Sequence, residues 1–267
     1  MKIRLLFISI FWLIGSTLYA QLKVASWNIQ NLGQSKSATA LQFITQQLKD
    51  FDVVAIQEVV AGPGGAQAVA KIADLLNRTG SKWDYRISDP TQSNAYSRER
   101  YAFLWKTSKI QLEGKAWLDS IYTKEIDREP YMARFCYNNK EITLVNMHAI
   151  PKTKKPETEI KYLKFYPQKY PGLSLVFLGD FNCPATHTVF TPLNKLGFQT
   201  ALIQQKTSLK RNCVNGCLAS AYDNFYVAPN IHIVNKGIIK FYEAFTNFEQ
   251  AHQISDHIPI WVQLTIN

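Results

Sequence analysis

Leu175-Val176-Phe177-Leu178-Gly179-Asp180-Phe181-Asn182 is the stretch from which the fold is read. Four apolar residues in succession suit a strand buried on both faces, and the run stops on a carboxylate and an amide. The same arrangement recurs outward along the chain. Leu22–Ile29 reads as a strand closing on Asn28, Val53-Val54-Ala55-Ile56 leads into Gln57-Glu58, and Ile142–Met147 leads into His148. Further strands are expected at Tyr101–Trp105, at Asn224–Val227 with Asp223 before it, and at Ile258–Thr265 after Asp256-His257. Helices are expected over Ser37–Leu48, with Leu41, Ile44 and Leu48 on one face, and roughly Gly65–Asn77, with Val69, Ile72 and Leu76 inward. Mixed strands and helices of this kind form an α/β sandwich. Polar residues at strand ends then gather on one rim, where catalytic groups are usually carried.

The 267 residues are 46% hydrophobic, which supports a real core and excludes a disordered or fibrous chain. Residues 1–20 read as an export signal: Lys2 and Arg4, an apolar run from Leu5 to Ile14, then Gly15, Ser16, Thr17 and Ala20. The alternative is a membrane anchor, but the uncharged stretch from Leu5 to Ala20 is shorter than the roughly 18–20 residues a span needs. The expectation is one secreted domain over residues 21–267, extracellular or periplasmic, monomeric and without an anchor. Removing Lys2 and Arg4 leaves 28 basic against 20 acidic residues, a charge of +8 that attracts polyanions. The four cysteines fit an oxidising compartment. Cys213 and Cys217 bracket a turn-like Val214-Asn215-Gly216, which favours a local bridge, whereas Cys136 in an apolar run reads as a buried free thiol.

Carboxylates, amides and two imidazoles at strand ends are the groups needed for metal-assisted phosphodiester hydrolysis. The motifs carry a family resemblance. Val24-Ala25-Ser26-Trp27-Asn28-Ile29-Gln30-Asn31 and Val54-Ala55-Ile56-Gln57-Glu58-Val59 resemble the opening motifs of the endonuclease/exonuclease/phosphatase superfamily. Gly179-Asp180-Phe181-Asn182 and Ser255-Asp256-His257-Ile258-Pro259 resemble two of its later ones. The segment from Ser97 to Trp105, with Arg128-Glu129-Pro130 and Ala221-Tyr222-Asp223, is similar to the deoxyribonuclease I branch. The resemblance implies a four-layer α/β/β/α sandwich with the active site at one edge of two packed sheets.

By resemblance, Glu58 is the principal metal ligand, with Asn28 and Asp256 holding the cation or orienting its waters. Hard oxygen donors suit Mg²⁺, with Ca²⁺ and Mn²⁺ as alternatives. His257 beside Asp223, and His148 beside Glu99, form imidazole–carboxylate pairs. His257 is assigned as general base and His148 as acid or electrophile at the leaving oxygen, roles that are open to exchange. Asp180 orients water or metal, and Asn182 donates to a developing oxyanion.

The implied substrate is DNA, cut endonucleolytically with low sequence specificity. Arg128 matches a position that branch uses in the minor groove, and its bland alternative is a salt bridge with Asp127 or Glu129. Six lysines within residues 151–170 (Lys152, Lys154, Lys155, Lys161, Lys164 and Lys169) are either an electrostatic funnel or a solvated face. One departure lies past Gln57-Glu58-Val59, where the family branch it resembles places a groove-inserting arginine and this chain has Val60 and then Gly62-Pro63-Gly64-Gly65. Rival readings are a phosphodiesterase or phosphatase of the superfamily acting on a phospholipid or inositol phosphate, and a toxin-type subunit working with a partner.

Overall fold

The computed structural model describes residues 21–93 and 98–266, so the expected export signal and the Ser97 end of one motif lie outside the described residues. Twelve strands form two six-stranded sheets among them. The first sheet contains β1 (Leu22–Leu32), β2 (Val53–Val60), β3 (Trp83–Ile87), β4 (Glu99–Lys106), β11 (Ile231–Ile238) and β12 (Ile260–Ile266), in the order β11-β12-β1-β2-β4-β3. The second contains β5 (Gln111–Leu118), β6 (Tyr131–Tyr137), β7 (Lys140–His148), β8 (Leu175–Asp180), β9 (Gln199–Thr200) and β10 (Asp223–Val227), in the order β5-β6-β7-β8-β10-β9. Each sheet has one parallel pair at its centre, β1 with β2 and β7 with β8, and is otherwise antiparallel.

The layers follow from which faces are apolar. Val24, Val53, Ala55 and Phe103 of the first sheet pack on Ala133, Phe135, Leu144 and Val176 of the second, forming the inner core. The opposite face of the first sheet is covered by α1 (Ala38–Leu48), α2 (Pro63–Asn77) and α6 (Phe248–Ile254). The outer face of the second sheet is covered by the short helices α3 (Glu157–Ile160), α4 (Tyr166–Lys169) and α5 (Thr191–Lys195). The α/β/β/α sandwich expected from the sequence is the fold observed.

Local chemistry explains the boundaries. Ser37, the expected first residue of α1, is its N-cap: its hydroxyl accepts from the Ala40 N–H. Pro63 opens α2 two residues before the expected Gly65, at a position whose N–H has no helical partner anyway. Cys213 and Cys217 are disulfide-bonded with Cα atoms 4.2 Å apart. The buried-thiol reading of Cys136 is corrected. It is half-buried on β6, where alternate side chains leave the core, and the buried thiol is Cys183.

Candidate active site

Strand register brings the polar residues together. In the second sheet His148 pairs with Asp180 across the parallel β7–β8 ladder, and Asp180 pairs with Asp223 across the antiparallel β8–β10 ladder. Gly179 makes this approach feasible. Its φ is +131°, and a Cβ there would sit 2.0 Å from the Met147 carbonyl oxygen. In the first sheet Asn28 lies opposite Gln57, and Val60 opposite Glu99. Glu58 falls where the β2–β4 ladder is interrupted, with a left-handed φ of 59°. That turn directs its N–H to Glu99 Oε1, 3.3 Å away.

Both expected imidazole–carboxylate pairs form. His148 Nδ1 lies 2.9 Å from Glu99 Oε2, and His257 Nδ1 lies 2.7 Å from Asp223 Oδ2. An ionised carboxylate only accepts, so each Nδ1 carries the proton and each Nε2 faces the site. The two Nε2 atoms converge on one oxygen, Asp180 Oδ2, at 3.5 Å each. Burial opposes charge on both rings, but Glu99 overrides it for His148, and Asp223 with Asp180 does so more strongly for His257; both imidazole pKa values are raised. Burial likewise opposes ionisation of Glu99 and Asp180, yet His148 with Arg128, and His257 with His148, hold these carboxyls below their usual range. Asp223 goes the other way, because burial outweighs its attraction to His257.

Asn28 Nδ2 donates to Glu58 Oε1 at 3.0 Å and to Asp180 Oδ2 at 3.1 Å, linking the sheets. The Asn28 Oδ1 and Asp256 Oδ1 atoms are buried without a hydrogen-bond partner. Buried acceptors are rarely left unpaired, and these oxygens with the Glu58 carboxylate are hard donors of the kind a divalent cation takes, Asn28 once its amide is turned to present Oδ1 to Glu58. The donor chemistry of Glu58, Asn28 and Asp256 is thus compatible with a divalent cation. Asp180, Asp223 and His257 also bring ligand atoms within 4.8 Å of one another. There, however, His257 Nδ1 is already bound to Asp223 and Asp180 Oδ2 already accepts from Asn28, which suits proton transfer better than coordination.

Arg128 is placed differently from either expectation of an exposed side chain. Its side chain is only 7% exposed, and its ion pair is with Glu99, 3.2 Å away. Nε donates to the His148 carbonyl and Nη2 to the Ala149 carbonyl, so each guanidinium nitrogen is engaged. Glu129 instead accepts from the Gln92 N–H. Asn182, also left-handed with φ 48°, donates from its N–H to Asp180 Oδ1 and from Nδ2 to the Ala149 carbonyl. Arg128, Glu99, His148, Asp180, Asn182, His257, Glu58 and Asp256 line one open cavity of about 620 Å³.

Supporting residues had no assigned role in the sequence. Ser255 Oγ donates to the Asn28 carbonyl and accepts from the Gln30 and His257 N–H groups. Its place directly before Asp256-His257 was the available signal. Between the sheets, buried Gln57 donates to Ser26 Oγ and to Asn146 Oδ1, while Asn146 Nδ2 donates to the Ile56 carbonyl. Asn146, a polar residue inside the apolar run ending at Met147, was the available signal.

Residues 25–258 match the Endonuclease/Exonuclease/phosphatase family model. The chain is 27% identical over 272 residues to Deoxyribonuclease-1 of Bos taurus, covering 91% of this chain and 92% of that protein. It is 30% identical over 278 residues to a Deoxyribonuclease of Thioalkalivibrio sp. (strain K90mix), covering 94% and 73%. Its fold is similar to the crystal structure of D. rerio TDP2 complexed with single strand DNA product, with a TM-score of 0.67, 16% identity and coverage of 92% and 99%.

Proposed function

The chain belongs to the Endonuclease/Exonuclease/phosphatase family, and on that basis we propose that it is a secreted, divalent-cation-dependent endonuclease hydrolysing DNA phosphodiester bonds with little sequence preference. The observation that carries the reading is the convergence of two carboxylate-held imidazoles on Asp180, at 3.5 Å each. Hydrolysis of a diester needs one proton removed from water and one supplied to the leaving oxygen. Two oriented imidazoles about one centre meet both needs. The 27% and 30% identical relatives are named deoxyribonucleases, which supports DNA as substrate.

His257, in its neutral form, takes the water proton at Nε2, and Asp223 fixes the ring and stabilises the resulting imidazolium. His148 donates its Nε2 proton to the departing oxygen while Glu99 holds Nδ1. Exchange of the two roles leaves the proton balance unchanged. Asp180, kept ionised by both rings, orients the attacking water between them. Asn182 Nδ2 has a second N–H to offer a non-bridging phosphate oxygen. Glu58, Asn28 and Asp256 would hold the cation, which supplies positive charge to the phosphate when bound.

Secretion agrees with the Cys213–Cys217 disulfide, and no helix among the described residues is long and apolar enough to cross a membrane. The deciding assay incubates purified protein with closed circular plasmid, sphingomyelin and inositol phosphates, with Mg²⁺, Mn²⁺ or Ca²⁺ and with EDTA. Nicking of closed circles, abolished by EDTA, is the expected result. Hydrolysis of either other substrate without nicking rejects DNA.

A further inference from the structure

The active-site cavity has a charge problem. Glu58, Glu99, Asp127, Asp180 and Asp256 line it, yet the proposed substrate is a polyanion. Three permanent cations share the lining: Arg98, Arg128 and Lys154. Arg128 is buried and bonded to Glu99, His148 and Ala149. The exposed Arg98 and Lys154 form no ion pair with another described residue, so among the described residues they are the lining cations open to a ligand.

The structure also sorts the lysine-rich segment. Lys152 pairs with Glu157 at 3.7 Å, while Lys161 and Lys164 lie over the rings of Tyr162 and Phe165. Of the six, Lys154 is the lysine that lines the cavity. Its position is fixed by more than chance. It ends a 3₁₀ turn, Lys152–Lys154, between Pro151 and a left-handed Lys155 with φ 62°. The buried Glu159 then ties this segment to the site, accepting from the Ile150 N–H at 2.9 Å and from the Asp127 N–H at 2.7 Å. The backbone carrying Lys154 is thereby braced, so no ordering of the turn is needed when its ammonium meets a phosphate.

We propose that Lys154, with Arg98 of the same cavity lining, forms a subsite for backbone phosphates flanking the scissile one, so that the enzyme selects a polynucleotide over an isolated phosphodiester. This rests on the endonuclease reading above. A rim that neutralises flanking phosphates adds binding to a strand, displaces counterions and leaves the proton transfers untouched.

The test compares wild type, Lys154→Ala, Lys154→Arg, Arg98→Ala and, as a control on the exposed face, Lys169→Ala. Each is assayed on duplex DNA across a salt series and on bis(p-nitrophenyl) phosphate, which has no flanking phosphate. For Lys154→Ala we expect KM for DNA to rise several-fold with kcat within about twofold. The slope of log KM against log salt should fall by about 0.9, the contribution of one phosphate contact on B-form DNA. Turnover of the small diester should be unchanged, Lys154→Arg should restore the slope, and Lys169→Ala should not alter it. An unchanged salt slope in both Lys154→Ala and Arg98→Ala overturns the subsite, as does an equal loss on DNA and on the small diester. Wild type that hydrolyses the small diester but never cuts DNA overturns the endonuclease reading itself, and the subsite with it.

Discussion

Arg128 and Glu99 form a buried ion pair, Nη1 to Oε2 at 3.2 Å, directly behind His148. Removing one partner of such a pair leaves an uncompensated buried charge, at a cost of about 3–5 kcal/mol. Arg128→Ala should therefore lower the urea midpoint markedly, and Arg128→Lys should recover little, since an ammonium cannot reach Glu99 and two carbonyls in one plane. A near-wild-type midpoint for Arg128→Ala would show that the pair is dispensable to stability.

The two histidines should behave as a unit. General acid–base steps contribute about 10²–10⁴-fold each, so His148→Ala and His257→Ala should each lose turnover in that range while retaining DNA binding. The double variant should be far less impaired than the product of the two losses. Melting temperature recorded beside turnover separates this from simple unfolding. Loss of activity in proportion to the unfolded fraction would remove that histidine from the chemistry.

Cation binding should be visible without any turnover. A ligand that binds the folded state stabilises it by mass action, so Mg²⁺ should raise the melting temperature of the wild type. Glu58→Gln should abolish that rise. Persistence of the full Mg²⁺ shift in Glu58→Gln would move the cation away from the Glu58, Asn28 and Asp256 donor set.

Stability in EDTA should fall on both sides of neutrality, for opposite reasons. Glu99 has a folded pKa below its unfolded value of about 4.3, so its contribution is present above that pH and is lost as pH drops through the folded pKa. His257 has a folded pKa raised well above its unfolded value of about 6.5. Its contribution is complete below that pH and disappears as pH rises through the folded pKa. Urea midpoints measured from pH 3 to pH 10 should show the acid limb flattened in Glu99→Gln and the alkaline limb flattened in Asp223→Asn. Identical profiles for wild type and both variants would contradict these assignments.

The two free thiols should differ in reactivity. Burial pushes the Cys183 thiol up to about 11, whereas Cys136 is half-buried at the surface of β6. At pH 8, iodoacetamide should label Cys136 in the native protein and Cys183 only after denaturation, as read by peptide mass. Rapid native labelling of Cys183 would show that its pocket opens readily.

What the sequence revealed, and what it hid, follows the position of each strand. The strands anticipated at the site, β1, β2, β4, β7, β8, β10 and β12, are interior to their sheets and carry the apolar runs that burial demands. The unanticipated β3, β5, β9 and β11 are the four edges, and β5 and β11 carry exposed Gln111, Lys115, Asn235 and Lys236. An edge strand needs one neighbour and is kept polar against unwanted pairing, so its hydrophobic pattern is weak. β6 is the exception, an interior strand whose Arg134 interrupts the apolar pattern. The polar residues of the site were legible because they stand at the ends of readable strands. The ion-pair partner of Arg128 was not legible, because nothing local to Asp127-Arg128-Glu129 shows that it lies 29 residues earlier, on β4.

His148, Asp180 and Asp223 ride on one sheet, whereas Asn28, Glu58 and Glu99 ride on the other, and His257 stands at the entry to β12. Neither half holds a complete acid–base pair with its carboxylate partner: His148 finds Glu99, and His257 finds Asp223, only across the seam. The hydrolytic chemistry is thus absent from any single hairpin or sheet and arises when the sandwich closes.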